Sequence, residues 1–509
     1  MSRPARILTS SPSGRAVMLL ALVAMAPCGR PLGSFYYVSP AGNDTNDCTA
    51  ANPCRQIRKA LTLIQPGDTI YVADGVYLGF TAQGVSGTAT NPITIKAQAT
   101  NAYVFAMTDR PDNRDNIFIT FCQWLVIDGL NSTNAPRAGM RIDQSPHITV
   151  RNGHFGSNAT WGVFTDFSDD SVLENNECYA SGTQHGIYIS NSSDRPVLRG
   201  NRCHDNAAVG IHMNGDLSQG GDGLITGALV ENNIIVNNGT LGGAGINMDG
   251  VQQSIVRNNL LYNNHASGIA MFQIDGAQGP KGNLVANNTI DQASNARWAL
   301  LITQTAGTNT VRNNILNQRN NSTLRGCINY GNATDAGNTD SDYNILAGNA
   351  YVSTDNGSSR IKLVDWQSMG HELHSSSNDI ANLVVAPLTD YHLKTNSPAI
   401  DAGQTLVAVP ADIENLARPA GAASNIGAYE FAATLAPPPV TVALAGADAC
   451  ISFPTLIGKL YTVENTSDLA TSVWTVITNG IVGTGEIAAV ADAGGATQSH
   501  RFYRVHLTP

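Results

Sequence analysis

The stretch GIHMNGD, residues 210–216, sets His212, Asn214 and Asp216 at alternate positions. In a β-strand that spacing sends all three side chains to one face, while Ile211 and Met213 go to the other. The residue types suit proton transfer: an imidazole titrates near neutral pH, an amide can stabilise a developing oxyanion, and a carboxylate accepts protons or binds cations. Two similar strings flank it. GIYIS carries Tyr188 and GINMD carries Asn247 and Asp249 on the corresponding side.

Taking a proton from a carbon beside a carboxylate needs a base, an acid for the departing oxygen and a group that stabilises the enolate. His212, Tyr188 and either Asn247 or Asn214 supply these roles in turn. Hydrolysis of a glycosidic bond needs instead two carboxylates about 5 to 9.5 Å apart, which Asp216, Asp222 and Asp249 could provide. The same three could collect a calcium ion through hard oxygen ligands. His185, Asn214, Asp249, His265, Gln273, Lys281 and Arg297 are the candidate contacts to a substrate, the last two as cations that could clamp a carboxylate. The insertion GDLSQGGDGLITGA, residues 215–228, borders these residues, and long loops are where binding sites concentrate.

Positioning such a row requires a repeating scaffold, and the sequence contains one. LENNECYASG, LRGNRCHDNA, VENNIIVNNG, VRNNLLYNNH, VANNTIDQAS and VRNNILNQRN align without gaps and place Asn176, Asn201, Asn233, Asn259, Asn288 and Asn314 in register. The steps are 25, 32, 26, 29 and 26 residues, room for three short strands and three turns. This is the period of a parallel β-helix, in which each coil buries its apolar side only by stacking on its neighbours. The recurring Asn suits a tight left-handed bend, and stacked amides can bond from coil to coil. With this ruler Tyr188, His212 and Asn247 form one outward row on coils about 4.8 Å apart. Cys178 and Cys203 fall on inward positions of adjacent coils, as a disulfide or as two thiols.

The organisation reads as a signal peptide and flanking segment (1–33), an N-terminal cap with the first coils (34–110), the parallel β-helix (111–390), irregular terminal coils (391–433), a proline-rich linker (434–440) and a small antiparallel β-domain (441–509). Arg3, Arg6 and Arg15 before the apolar run Ala16–Ala26 carry the pattern of a secretory signal. Export permits disulfides, and Cys48 and Cys54 close a short loop. An amphipathic helix near Gln56–Ile64 would cap the open end of the stack. A net charge of -10 argues against a nucleic-acid partner, and no later apolar segment is long enough to span a membrane.

The opening YYVSPAGND, the string PGDTIYVADGVY and the Asn-bearing coils together resemble secreted bacterial right-handed parallel β-helix proteins of the pectate-lyase-like superfamily, over roughly residues 35 to 350. SPAIDAG to NIGAYE, residues 397–430, is similar to the choice-of-anchor Q module of bacterial surface proteins, and the C-terminal part is similar to β-modules ending in Phe-Tyr-Arg-Val. The superfamily implies polysaccharide lyases, hydrolases and epimerases, but also tailspikes and adhesins. The Asp-Pro-His-Asp string of alginate epimerases is absent, as are the arginine-centred motif of classical pectate lyases and the aspartate motifs of polygalacturonase-type hydrolases. The expectation is therefore an all-β protein, secreted or at the cell surface, monomeric, binding a polysaccharide and cleaving a uronate-containing glycan by β-elimination, with calcium as an optional cofactor. A non-catalytic glycan-binding or adhesion protein and a glycoside hydrolase are the alternatives.

Overall fold

The computed structural model describes residues 33–107, 114–431, 439–455, 460–469, 473–484 and 486–507. The signal segment lies outside them, as does most of the linker.

From Phe35 to Asn378 the chain winds into stacked coils of three short strands. One parallel sheet has twelve strands running in coil order, from Phe35–Val38 to Thr339–Asp342. The second and third sheets share the strand Gly75–Gln83, which pairs in one with Ala102–Met107 and in the other with Ile117–Thr120. On the third sheet the expected inward columns are met: Ile187, Ile211, Ile246, Ile269 and Leu300, with Ile189, Met213, Met248, Met271 and Ile302, are all fully buried. Each such side chain contributes roughly 1.5–3 kcal/mol of hydrophobic free energy.

The Asn repeat divides its work between two residues. The first of each pair makes the bend, with φ of 54° at Asn175, 58° at Asn232, 54° at Asn258, 54° at Asn287 and 56° at Asn313, and Gly200 doing the same at 64°. The second, expected both to bend and to bond from coil to coil, does only the latter and is the buried rung. Asn233 Nδ2 donates to Asn259 Oδ1 at 2.9 Å, Asn259 to Asn288 at 2.9 Å, Asn288 to Asn314 at 3.0 Å and Asn314 to Asn344 at 3.1 Å. A second amide ladder runs through Asn206, Asn238 and Asn264, where backbone and side chain of one rung again donate to the next. At a third corner Ser254 N donates to Asn283, which continues to Asn309.

Val38 and Cys54 bridge at the start of the stack, where Cys48 and Cys54 form a disulfide. The capping helix is short, Ile57–Leu61, and buries Ile57 and Ala60. Cys178 and Cys203 are register partners on adjacent strands, fully buried and free. The open alternative thus resolves to two thiols, and burial pushes the Cys178 thiol up.

The segment expected as terminal coils does not extend the stack. Residues 380–431 fold back along the outside of the second sheet, where Ile380, Leu383, Tyr391, Ile426 and Ala428 pack on Leu260, Ile315, Ile345 and Ala347. Those positions are apolar on coils whose outward face would otherwise meet water, so a covering segment removes them from solvent. Polar ties fix it: Tyr391 donates to Asp291 at 2.6 Å, Asn258 to Ala411 O at 2.7 Å, and Asn313 to Gln404 O at 2.7 Å. The C-terminal module consists of two three-stranded antiparallel sheets around Ile451, Phe453, Tyr461, Val463 and Val505. No helix among the described residues is long and apolar enough to cross a membrane.

Candidate active-site face

Backbone pairing puts Tyr188 opposite His212 and His212 opposite Asn247, with Ser190, Asn214 and Asp249 in the parallel column two residues on. The same columns continue toward the N-terminus as Arg141 and Phe164 in one and Asp143 and Asp166 in the other. Phe164 stacks on Tyr188 with centroids 5.2 Å apart, and Tyr188 lies 5.0 Å from the His212 ring.

Hydrogen bonding fixes the tautomers of the two histidines here. The Val209 backbone N–H donates to His185 Nδ1 at 3.3 Å, so His185 carries its proton on Nε2. That Nε2–H donates to His212 Nδ1 at 3.0 Å. His212 is therefore protonated on Nε2, and burial holds it neutral by lowering its pKa to about 4. His185 is lowered well below the ordinary range by the same cause, with His212 adding to the effect. A neutral imidazole whose free nitrogen already bears hydrogen is a donor. The role of base inferred for His212 from its residue type thus does not suit this geometry. Its Nε2 is out of solvent reach and has no partner among the described residues.

Tyr188 suits an acid. Burial raises its phenol, which keeps the proton on the oxygen at neutral pH, and Asn214 Nδ2 approaches that oxygen at 3.2 Å. The same amide donates to Asp275 Oδ2 at 3.2 Å. Asp275, an exposed carboxylate on the loop after Phe272, therefore joins the site. It gave no signal of its own in the sequence, because a lengthened coil had to carry it back over its neighbour.

Asn247 and Arg297 line the same cleft of about 570 Å³ with Ser267, Phe272 and Asp335, and Ala270 provides its floor. Neither side chain has a hydrogen-bond or ion-pair partner among the described residues, and Arg297 is exposed.

Other candidates go elsewhere. Asp216 accepts from Ser218 N and Oγ at 3.1 and 2.6 Å, capping the turn Leu217–Gln219, and Asp222 accepts from Leu224 N at 3.0 Å. Asp249 receives three backbone N–H groups, from Ile274, Asp275 and Gly276, at 2.8, 2.9 and 3.1 Å. Asp216 and Asp222 serve their own loop and Asp249 the loop of the next coil, and no metal-binding group of three or more acids, histidines or cysteines occurs among the described residues. The calcium cluster expected from these three is not formed among the described residues. Gln273 braces the same loop, donating to Gly276 O at 3.1 Å. His265 bonds Asn295 and Asn237 at the corner of the second sheet, and Lys281 bridges Gln252 toward the first. Both lie off the row.

The columns also hold a group that the sequence reading passed over. Arg141 pairs with Asp166 at 2.7 Å and lies 3.9 Å from Asp143, its guanidinium over the rings of Phe118 and Phe164. Extending the strand ruler two coils back through GMRID and GVFTD would have found it. Asp166 is 4% exposed, and burial raises its carboxyl to about 6, against the lowering effect of Arg141 and with the Asp143 carboxylate adding to the rise. A carboxyl raised in the folded state contributes stability that is complete below its unfolded pKa, near 4, and is lost as pH rises through 6. The loss is on the order of 3 kcal/mol. Asp166→Asn, neutral throughout, should therefore gain thermal stability on the wild type as pH goes from about 4 to about 7.5. Melting curves of both at the two values test this, and a difference that does not change with pH contradicts it.

A solenoid of parallel strands with a polar face and a bordering cleft defines the class: a right-handed parallel β-helix protein. Residues 36–288 match the family model described as the Pel9A-like, right handed beta helix region. Among solved structures, pectate lyase Pel9A is similar at 18% identity and a TM-score of 0.51, over 78% of this chain and 96% of that one. An alginate lyase from Paenibacillus sp. str. FPU-7 is 23% identical at a TM-score of 0.41, over 54% of this chain and 93% of that one. The A-module of the Azotobacter vinelandii mannuronan C-5 epimerase AlgE6 is 17% identical at 0.41, over 68% and 88%. No curated protein matches the chain. At these identities the likeness is one of fold.

Proposed function

We propose that the protein is a polysaccharide-active β-helix protein that cleaves a uronate-containing glycan by β-elimination on the outward face of its third sheet. The observation that carries this reading is the cleft that Arg297 and Asn247 both line, neither with a side-chain partner among the described residues. In a chain of net charge -10, an unpaired guanidinium beside a free amide is a place for a carboxylate. Lyase and epimerase relatives in fold support the substrate class.

In this reading Arg297 and Asn247 hold the uronate carboxylate and take up charge as the enolate forms. Asp275 accepts the proton from C5, the C5–H electron pair becomes the C4–C5 double bond, and the C4–O4 bond breaks. The departing oxygen takes the Tyr188 proton. Acid and base share the Asn214 amide, which holds both on one side of the sugar. Asp216, Asp222 and Asp249 each accept backbone N–H groups of the loops beside them, and Asp143 and Asp166, register partners on adjacent strands, share the Arg141 guanidinium at 3.9 and 2.7 Å. The Cys48–Cys54 disulfide supports export to an oxidising compartment.

Incubation with a panel of acidic and neutral glycans tests the proposal. Ultraviolet absorbance from unsaturated uronate ends should rise on an acidic glycan and stay flat on neutral ones. Glycan binding without any cleavage would instead favour the adhesion reading.

A further inference from the structure

Resting on that reading, we propose that the loops 215–224 and 273–280 form a lid over the strand Ile211–Asn214, and that opening it presents His212 Nε2–H and Asn214 Oδ1 as a donor–acceptor pair for one sugar unit. The two loops come from different coils and lock together. Leu217 N donates to Asp275 O at 3.0 Å and Ala277 N to Gly223 O at 2.8 Å. Asp275 also accepts from the Asn214 amide beneath it at 3.2 Å. The tips are apolar and exposed, with Leu217 at 52% and Ile274 at 76%.

Beneath the lid lie two groups whose partners are missing. His212 Nε2 and Asn214 Oδ1 are both closed to solvent and unbonded among the described residues. Such groups are costly in a folded protein and concentrate where a ligand completes them. They sit two residues apart on one strand and face the same way. The tautomer chain through His185 makes the first a donor, and Asn214, whose amide nitrogen already serves Tyr188 and Asp275, offers an oxygen acceptor. A sugar presents the complement, a ring or carboxylate oxygen to accept and a hydroxyl to donate.

The means of opening is local. Gly220, Gly221 and Gly223 have φ of 101°, 74° and 71°, a region that glycine enters at no steric cost. The bases of the first loop are fixed by Gly215 N to Asp249 O and by the pairing of Ile225–Thr226 with Val251–Gln252. The first loop can therefore lift off the second, which Asp249 holds in place through three backbone N–H groups, while the coil stays intact.

The double variant Leu217→Cys/Ala277→Cys tests closure. Both Cβ atoms lie beside the position a Cβ on Gly223 would occupy, at 2.7 and 2.9 Å, so they are at most about 5.6 Å apart, and a small shift of the glycine-rich loop lets a disulfide form. Modification of His212 by diethyl pyrocarbonate, mapped by mass spectrometry, should be at least about tenfold slower in the oxidised variant than in the reduced one, with the exposed His374 modified equally in both. Equal rates at His212 would overturn the lid whatever the enzymatic outcome, because this readout needs no turnover. For the sugar pair, His212→Leu should raise KM about tenfold on the glycan the wild type cleaves, and His212→Gln, which restores an N–H near the Nε2 position, should recover most of it. An unchanged KM in His212→Leu would remove the pair.

Discussion

Asn259→Ala is expected to destabilise the coil stack by about 4 kcal/mol, more than any surface change in the protein. The Asn259 amide donates to Asn288 Oδ1 at 2.9 Å and to Val230 O at 2.9 Å, while its oxygen accepts from Asn233 N at 3.0 Å and Asn233 Nδ2 at 2.9 Å. Alanine leaves the Asn233 N–H unpaired where no water reaches and removes one partner each from Asn233 Nδ2 and the Val230 carbonyl. Each such group costs about 1–3 kcal/mol, and the small cavity adds to it. Asn258, its neighbour, is the control. It takes the left-handed bend and donates to Ala411 O at 2.7 Å, so Asn258→Ala should cost only about 1–2 kcal/mol. Urea unfolding followed by circular dichroism measures both. Equal midpoints for the two variants would mean that the rung and the bend matter alike, against the division of labour described here.

Arg297→Ala should lower kcat/KM on the acidic glycan by about 100- to 1,000-fold, the range expected when a charge-assisted contact to a carboxylate is lost. Stability should hardly change, since the exposed Arg297 side chain has no partner among the described residues to lose. Arg297→Lys should fall between, keeping the charge but not the two-pronged geometry. Lys281→Ala, at the corner toward the first sheet, should leave turnover intact. Steady-state kinetics with melting temperatures separates these cases. A normal kcat/KM in Arg297→Ala would take the carboxylate out of the cleft.

Much of this was legible in the sequence because a solenoid converts spacing into position. Once Asn176 to Asn314 were aligned, the pairing of Tyr188 with His212 and of His212 with Asn247 followed, since every coil repeats the same register. The fate of His212 was not legible. Whether an imidazole is a base or a donor depends on what occupies its second nitrogen, and that partner, His185, sits outside the strand at a turn. The carboxylates Asp216, Asp222 and Asp249 looked interchangeable as residue types, yet the first two are taken by backbone N–H groups of their own loop and Asp249 by those of the next coil's loop, which no spacing reveals. The fold-back of residues 380–431 was hidden for a similar reason. Leu260, Ile315 and Ile345 read as ordinary strand apolars, and only the outward orientation of these three calls for a cover.

The central claim is elimination, and the most direct test is digestion of a uronate-containing glycan in oxygen-18 water with mass spectrometry of the products. Elimination adds no water across the broken bond, so the account predicts fragments with an unsaturated end and no solvent oxygen incorporated at the new ends. Fragments that carry one heavy oxygen, or no fragments from any acidic glycan, would contradict it.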